Sequence, residues 1–337
     1  MAKGCKYLRC KGIKVIKVNK NIIFSCIVFV VVFLVAEIGV RIKQALVDHI
    51  PFTRSIIDFY DPLLGWSGKK LFGDLKTSKS RIMVLGDSFT QGNGVPEEFM
   101  YYQPLARAFN AELFVYGAYG FGTLQEYLVL DKYIDEVKPD LILLQFCYND
   151  FINNSWVLEE NSFQNNNLMI RPYLIDGKIE YRYPRLFGRY RLELSKWSRI
   201  VYLAFAFYDR VMFKAAYEGK IKTSEDEIED KGLAYKPFAD SKDITLEILK
   251  RLKTRAGQVP VIAMPVILKQ PYLEQSIDVF AKAGIPFMTS PAFALQDLAN
   301  RGVSVFFKDN VHWNEKGNEV AGLIILQEVA KIHLNVN

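Results

Sequence analysis

The sequence predicts an α/β fold built on a parallel, doubly wound sheet and preceded by one membrane-spanning helix. From residue 81 onward, short apolar runs alternate with longer amphipathic stretches, a pattern typical of parallel sheets covered by helices. Before that, the apolar run at 22–41 is long enough to cross a bilayer as a helix. Apolar residues make up 50% of the chain and charged residues 24%, which is the composition of a globular protein.

The first 21 residues form a strongly basic tail that we predict to be cytoplasmic. The tail has no acidic residue and carries seven cationic ones, Lys3, Lys6, Arg9, Lys11, Lys14, Lys17 and Lys20. Positive charges next to a membrane-spanning helix favour the cytoplasmic side. Removing these seven charges from the net charge of +6 leaves the rest of the chain at −1, which disfavours a nucleic-acid partner.

The apolar run at 22–41 is either an uncleaved signal-anchor or a cleaved signal peptide. It is long for a signal peptide, and Leu34-Val35-Ala36 is followed by Glu37 without a clear small-x-small cleavage site. We therefore favour a single-pass anchor in the cell membrane. The domain that follows would then be extracytoplasmic, either periplasmic or extracellular.

The positions of the cysteines agree with this topology. Cys5 and Cys10 fall in the basic tail, Cys26 in the predicted membrane span and Cys147 in a predicted buried strand. None of them is placed to pair with another outside the cell, so the sequence indicates no disulfide framework.

Residues 42–80 are predicted to be a connector, because prolines and a polar run at 76–80 break the periodicity there. Residues 81–337 are predicted to be the folded domain, with an insertion at about 151–235. Its predicted strands span 82–85, 112–116, 140–147, 259–266, 285–289 and 303–307. Its predicted helices span 97–109, 123–137, 240–256, 271–283 and 315–332.

The insertion contains two local patterns. Strand-like segments at 170–175 and 178–183 flank Asp176-Gly177, which predicts a two-residue β-hairpin. Residues 194–216 carry large apolar side chains at helical spacing, including Trp197, Phe205 and Tyr208. Such a stripe is more often core than a ligand-binding surface, although it is apolar enough to pack on a membrane or on the sheet.

Ser88 follows the first buried strand of the domain, at the edge where α/β sheets bind ligands. A serine at that position has an exposed hydroxyl and a free backbone N–H, as a nucleophile requires if a base reaches it. By itself, Gly86-Asp87-Ser88 is a weak motif, and a turn in which Asp87 and Ser88 cap the next segment would explain it.

His312 is the candidate base. Of the three histidines in the chain, it alone stands beside an acid in a loop that follows a predicted strand. Asp309, three residues earlier, can fold back and accept a hydrogen bond from Nδ1, which leaves Nε2 facing a serine. Taken alone, the pair fits a surface histidine near a helix start equally well.

Gly120 and Asn149 are candidate donors to a developing oxyanion. Gly120 lies in a glycine-rich turn after the strand at 112–116, where backbone can approach a ligand closely. Asn149 follows the strand at 140–147, and its side-chain amide can donate to an oxyanion. An ordinary turn is the alternative explanation for Asn149.

In order and spacing, the four motifs resemble those of the SGNH (GDSL-type) hydrolase family, in particular its membrane-anchored bacterial members. They read Gly86-Asp87-Ser88-Phe89, Gly120, Asn149-Asp150 and Asp309-x-x-His312. The resemblance covers about residues 81–150 and 235–333. It implies a flavodoxin-like three-layer α/β/α sandwich, with Ser88 as nucleophile and His312 as base oriented by Asp309. It also implies an oxyanion hole formed by the N–H groups of Ser88 and Gly120 and the side chain of Asn149.

One residue departs from the family pattern. The third motif usually has glycine two residues before the asparagine, and this chain has Cys147 there. The larger side chain is expected to reshape the acyl pocket beside Asn149.

The function that follows is a membrane-anchored serine hydrolase acting on O-acyl esters. The resemblance favours acetyl groups on cell-surface polysaccharide as the substrate. Two alternatives stay open, an O-acyltransferase with the same triad and a catalytically idle envelope protein that binds or assembles polysaccharide. The sequence contains no phosphate-binding loop and no metal-binding constellation, so we expect neither a metal nor another cofactor. It identifies no protein partner.

Overall fold

The computed structural model describes residues 19–47, 52, 60–76, 79–162, 170–183 and 187–334. The strands in these ranges are β1 (Tyr60–Asp61), β2 (Gly65–Trp66), β3 (Lys69–Phe72), β4 (Arg81–Gly86), β5 (Glu112–Gly117), β6 (Leu141–Phe146), β7 (Arg171–Ile175), β8 (Lys178–Arg182) and β9 (Val261–Pro265). The helices are α1 (Lys20–Val47), α2 (Ser88–Gln91), α3 (Gln103–Ala108), α4 (Thr123–Val137), α5 (Asp150–Asn153), α6 (Trp156–Glu160), α7 (Gly188–Trp197), α8 (Arg199–Tyr217), α9 (Ser224–Lys231), α10 (Lys236–Ala256), α11 (Tyr272–Ala283), α12 (Ser290–Asn300) and α13 (Glu315–Leu334). Glu97–Phe99 and Gly232–Ala234 form 3₁₀ turns.

The central sheet confirms the predicted flavodoxin-like arrangement. Its strand order is β3-β5-β4-β6-β9, and β5, β4, β6 and β9 are parallel. Numbered along the chain, these four strands stand in the order 2-1-3-4, which is the flavodoxin-like order.

Two predicted strands are reduced to single bridges. Phe287 extends the sheet beyond β9 through one parallel bridge to Ala263, which is what remains of the predicted strand at 285–289. The predicted strand at 303–307 contributes only an antiparallel bridge between Phe306 and Trp313.

The sheet is mixed rather than purely parallel. Strand β3 lies in the predicted connector and pairs antiparallel with β5, with Lys69 opposite Gly117 and Phe72 opposite Phe114. The strand has only four residues and sits at an edge of the sheet. An edge strand this short carries too little periodicity for a sequence pattern to indicate it.

Helices cover both faces of the sheet, as a three-layer sandwich requires. Side chains alternate along each strand, so Met83 and Leu85 face one core while Ile82 and Val84 face the other. The first core is completed by α4, α10 and α11 and the second by α3, α12 and α13. The predicted helix at 97–109 is in fact a 3₁₀ turn followed by the short α3.

The insertion contains the predicted hairpin and two helices in place of one. Asp176 and Gly177 have φ values of +49° and +76°, as the turn between β7 and β8 requires. The stretch at 194–216 is divided between α7 and α8, because Ser198 leaves the helix and its hydroxyl accepts from the Val201 N–H. The expectation that its aromatic residues form core is wrong for Trp197 and Tyr208, which are exposed.

Helix α1 contains the predicted membrane span and extends beyond it at both ends. It is long and apolar enough to cross a membrane, with a mean hydropathy of 2.8 over its most apolar window. The basic tail up to residue 18 lies outside the described residues, as do His49 and most of residues 48–59. The topology of the anchor and the domain boundaries therefore stay predictions.

Candidate active site

The position of the site follows from the strand order. Strands β4 and β6 are neighbours in the sheet. The strand that follows β4 in the chain, β5, lies on one side of this pair, and the strand of this sheet that follows β6, β9, lies on the other side. Loops that leave the carboxyl ends of two such strands diverge and open a crevice between them. Ser88 follows β4 and Asn149 follows β6, so both sequence-predicted residues lie at this crevice. Gly120 follows β5 on the other side of β4.

Ser88 is held at a tight strand-to-helix turn. Asp87 caps α2 by accepting a hydrogen bond of 3.0 Å from the Phe89 N–H. The Gln145 Oε1 atom, on the neighbouring strand β6, accepts from the Asp87 N–H at 2.9 Å and from the Thr90 hydroxyl at 3.0 Å. A Cβ at Gly86 would overlap the side chains of Gln145 and Thr90, so only glycine fits there. The sequence did not indicate this role for Gln145, because Gln145 lies within a predicted buried strand and no motif includes it.

His312 lies within hydrogen-bonding distance of Ser88 although the two residues are 224 positions apart. The Ser88 Oγ atom is 2.9 Å from His312 Nε2, and Asp309 Oδ2 is 2.7 Å from His312 Nδ1. Because the Asp309 carboxylate accepts from Nδ1–H, Nε2 is left to accept the proton of the serine hydroxyl. The structure thus brings Ser88, Asp309 and His312 into one hydrogen-bonded chain.

The Asp309 carboxylate is itself fixed by the loop. Its Oδ1 atom accepts from the backbone N–H groups of Val311 at 2.9 Å and His312 at 3.0 Å. Burial pushes the pKa of Asp309 upward, but the hydrogen bonds from the His312 ring and from these two N–H groups outweigh it, so its pKa is lowered. The Phe89 ring packs against the imidazole, with ring centroids 4.9 Å apart, and restricts its movement.

A cavity of about 550 Å³ opens beside Ser88 and His312 and contains the remaining predicted site residues. Gly120, Cys147 and Asn149 all line it. Cys147 is a buried free thiol whose pKa is raised by burial, so it stays neutral and contributes volume to the wall. A second cavity of about 450 Å³ adjoins the other side of Ser88, along the loop at 92–95.

Two backbone N–H groups are available as oxyanion donors. Gly120 has a φ of +70°, a conformation that a residue with a Cβ adopts only with strain. Among the described residues, neither the Ser88 N–H nor the Gly120 N–H donates to another group. The Asn149 side chain is oriented by Asn153, whose Oδ1 atom accepts from Asn149 Nδ2 at 3.0 Å. One Nδ2 hydrogen of Asn149 remains for a ligand.

Arg171 binds the backbone of the glycine-rich turn that contains Gly120. The sequence analysis did not identify it. Its Nη2 atom donates to the Gly120 carbonyl oxygen at 2.7 Å, and its Nη1 atom donates to Gln125 Oε1 at 2.6 Å. The side chain is 1% exposed and forms an ion pair of 2.8 Å with Glu159, which is fully buried. Its guanidinium also lies 4.7 Å from the Trp66 ring centroid. In the sequence, Arg171 stands only as one residue of the strand-like segment at 170–175, so no local pattern indicates this role.

Three buried carboxyl groups lie beneath the site. Burial raises the pKa of Asp87 to about 6, although the hydrogen bonds from Phe89 and Gln145 act in the opposite direction. Burial also raises the pKa values of Glu126 and Asp150 well above the usual range, and each of them interacts unfavourably with the Asp87 charge. These three buried carboxyl groups are therefore protonated more readily than ordinary carboxyl groups.

Comparison with known proteins adds a remote structural likeness. No family model matches the chain, and no curated protein matches it. A lipase/acylhydrolase from Enterococcus faecalis is similar at a TM-score of 0.41 and 14% identity, over 74% of this chain and 95% of that one. The esterase EstA from Pseudoalteromonas sp. is similar at 0.42 and 13%, over 76% of this chain and 100% of that one. A two-domain esterase active on acetylated mannans is similar at 0.42 and 11%, and the match spans 75% of this chain and half (50%) of that one.

Proposed function

We propose that this chain is a membrane-anchored serine esterase of the SGNH type that cleaves O-acyl esters. The observation that carries the proposal is the hydrogen-bonded series from Ser88 Oγ through His312 to Asp309, with distances of 2.9 and 2.7 Å. Mere binding of an ester requires neither a base within reach of a serine nor a carboxylate that fixes the tautomer of that base.

In the first half of the reaction, the ester is cleaved and the acyl group is attached to Ser88. Ser88 Oγ attacks the acyl carbonyl carbon while His312 Nε2 accepts the hydroxyl proton. The carbonyl oxygen becomes negatively charged and accepts hydrogen bonds from the N–H groups of Ser88 and Gly120 and from Asn149. When the tetrahedral intermediate collapses, His312 returns the proton to the departing alcohol oxygen.

In the second half, water releases the acyl group. His312 removes a proton from the water, and the hydroxide oxygen attacks the acyl-enzyme carbonyl. The second tetrahedral intermediate collapses to a carboxylic acid, and the proton on His312 returns to Ser88 Oγ. Asp309 stays ionised throughout, consistent with its lowered pKa, and stabilises the imidazolium in both halves.

The favoured substrate is an acetyl group on cell-surface polysaccharide. This preference rests on the motif resemblance and on the anchor, since α1 would hold the site beside the envelope. Cys147 lines the cavity at the position where family members usually carry glycine, and a side chain larger than hydrogen there would favour a short acyl group.

Labelling with a fluorophosphonate probe tests the proposal. The probe forms a covalent bond with an activated serine, so the wild-type chain in detergent should be labelled and Ser88→Ala should not. Ser304→Ala is the matched control, because Ser304 is an exposed serine of the same domain, and its loss should leave labelling unchanged. An unlabelled wild-type chain would contradict the proposal and favour an idle site. Acetate release from p-nitrophenyl acetate, measured with and without an added oligosaccharide acceptor, separates hydrolysis from acyl transfer.

A further inference from the structure

Helix α8 exposes large apolar side chains along its length. Leu203 is 42% exposed, Phe207 69% and Val211 47%, and these residues recur at the spacing of one helical face. An exposed apolar strip of this kind marks a surface that another body covers.

The same face carries positive charge. Arg210 and Lys214 are exposed and lie on the same side of the helix as these apolar residues, and Lys214 also lies 3.7 Å from Glu218 at the end of the helix. Helices that lie in the plane of a membrane interface combine an apolar face with lysine and arginine in this way. We call the surface formed by Leu203, Phe207, Arg210, Val211 and Lys214 the α8 face.

The first turn of α8 is joined directly to the membrane helix α1. Glu37 of α1 accepts hydrogen bonds from the backbone N–H groups of Arg199 at 2.9 Å and Ile200 at 3.0 Å, and from the Ser198 hydroxyl at 2.9 Å. A carboxylate in this position caps the helix and complements its positive end. Arg41 pairs with Glu37 at 2.7 Å and completes the junction.

Further contacts fix the junction over two turns of α1. Arg41 Nη2 donates to the Trp197 carbonyl oxygen at 2.9 Å, and Arg199 Nη1 donates to Gln44 Oε1 at 2.7 Å. The Trp197 side chain is 80% exposed beside this junction. Tryptophan is enriched at the boundary between lipid and water. Because Glu37 and Arg41 stand at the end of the apolar run, α8 begins where α1 would leave the bilayer.

The other end of α8 reaches the candidate active site. Phe213 and Tyr217 line the same cavity as Ser88 and His312. A helix of 19 residues is about 28 Å long, so α8 connects the anchor to the mouth of the cavity over that distance.

We propose that the α8 face lies on the extracytoplasmic surface of the membrane and holds the mouth of the cavity at the lipid–water interface. The partner is the lipid surface itself, including anionic headgroups attracted by Arg210 and Lys214. The inference rests on the proposed anchoring by α1. It deepens the proposed function, since the site would then act on esters presented at the membrane surface.

Tryptophan fluorescence in lipid vesicles tests this inference on the full chain. The parent variant is Trp197→Phe, which removes the exposed tryptophan at the junction. Phe207→Trp, added to this parent, places a reporter in the α8 face. Phe293→Trp in the same parent is the matched control, because Phe293 is 52% exposed on α12. Each chain is reconstituted into vesicles of phosphatidylcholine and phosphatidylglycerol, with and without bromine on the acyl chains.

Brominated lipid should quench at least half of the emission that Phe207→Trp adds to the parent, and little of the emission that Phe293→Trp adds. Equal quenching of both reporters, or of neither, in chains that float with the vesicles would overturn the inference and leave the anchor intact. Chains that fail to float with vesicles would overturn the anchor and the inference together. Fluorophosphonate labelling of Ser88 is independent of both results.

Discussion

At the scale of single residues, the serine, histidine and aspartate are linked by two hydrogen bonds whose loss has separable effects. His312→Ala removes the base, so we expect it to abolish nearly all turnover of a simple acetyl ester. Asp309→Asn keeps the side-chain shape but can leave the imidazole in the wrong tautomer, as in other triads where the loss is about 10⁴-fold. Steady-state hydrolysis of p-nitrophenyl acetate measures both. A near-normal rate in Asp309→Asn, with His312→Ala inactive, would show that another group orients the base.

Asn149 tests the oxyanion hole. Removing one oxyanion donor typically costs about 10²–10³-fold in kcat, so Asn149→Ala should lower kcat by that order. KM should change little, because the hydrogen bond strengthens mainly in the transition state. The control is Asn153→Ala, which removes the acceptor that orients Asn149 but keeps the Asn149 donor, so its effect should be smaller. An effect of Asn149→Ala on KM alone would instead make it a residue that binds the ground state.

Asp87 makes stability depend on pH in an unusual direction. Its pKa is about 6 in the fold against 3.8 for an ordinary aspartate, so the folded state binds more protons than the unfolded state between those values. The free energy of unfolding should therefore fall as pH rises from 4 to 6, by about 1.4 kcal/mol per pH unit at most. Asp87→Asn does not titrate and removes the Asp87 contribution, whereas Glu126 and Asp150, whose pKa values are also raised, remain in both chains.

Urea unfolding of the full chain in detergent measures the effect at pH 4 and at pH 7. The stability of wild type relative to Asp87→Asn should fall by about 2.4 kcal/mol between those two pH values, because at pH 4 the unfolded-state carboxyl is already partly ionised. A difference that stays constant with pH would show that Asp87 titrates normally.

At the scale of elements, the hairpin of the insertion supports the glycine turn of the sheet. The two Nη atoms of Arg171 on β7 donate hydrogen bonds, one to the Gly120 carbonyl oxygen and one to the Gln125 side-chain oxygen. Lysine keeps a positive charge beside Glu159 but lacks the planar fork, so Arg171→Lys should let the turn move. A displacement of about 1 Å can cost about 10²-fold in rate, and we expect kcat to fall by about tenfold or more with KM nearly unchanged.

Arg182→Lys is the matched control for Arg171→Lys, because Arg182 is an arginine of the same hairpin whose side chain is 38% exposed. It should leave kcat unchanged. Thermal unfolding separates positioning from general destabilisation. If the two variants had the same kcat, Arg171 would have no positioning role at Gly120.

At the scale of the whole molecule, the prediction concerns topology. The seven cationic residues before α1 favour a cytoplasmic N-terminus, so reporter fusions placed after residue 81 should be active only outside the cytoplasm. Alkaline phosphatase and green fluorescent protein, which are active on opposite sides of the membrane, give complementary readouts. Replacing the seven cationic residues by glutamine is the control and should weaken the bias. A cytoplasmic readout for the wild-type tail would overturn the localisation.

The features that the sequence determined by itself are local ones. The strand before Ser88 is a continuous apolar run, the turn between β7 and β8 is specified by Asp176-Gly177, and Asp309 reaches His312 within one turn. Each depends on residues a few positions apart, so pattern and spacing are sufficient. The order of the four motifs along the chain then predicted the flavodoxin-like sheet that the structure has.

The features that only the tertiary structure decided depend on residues remote in the chain. Arg171 is an ordinary arginine of a strand until the fold places its guanidinium against Gly120, 51 positions away. The aromatic residues of α8 have core-like spacing, yet four of them are exposed, namely Phe207, Tyr208, Phe213 and Tyr217. Helical spacing specifies which residues share a face, whereas the burial of that face depends on what the rest of the chain, or a membrane, places against it.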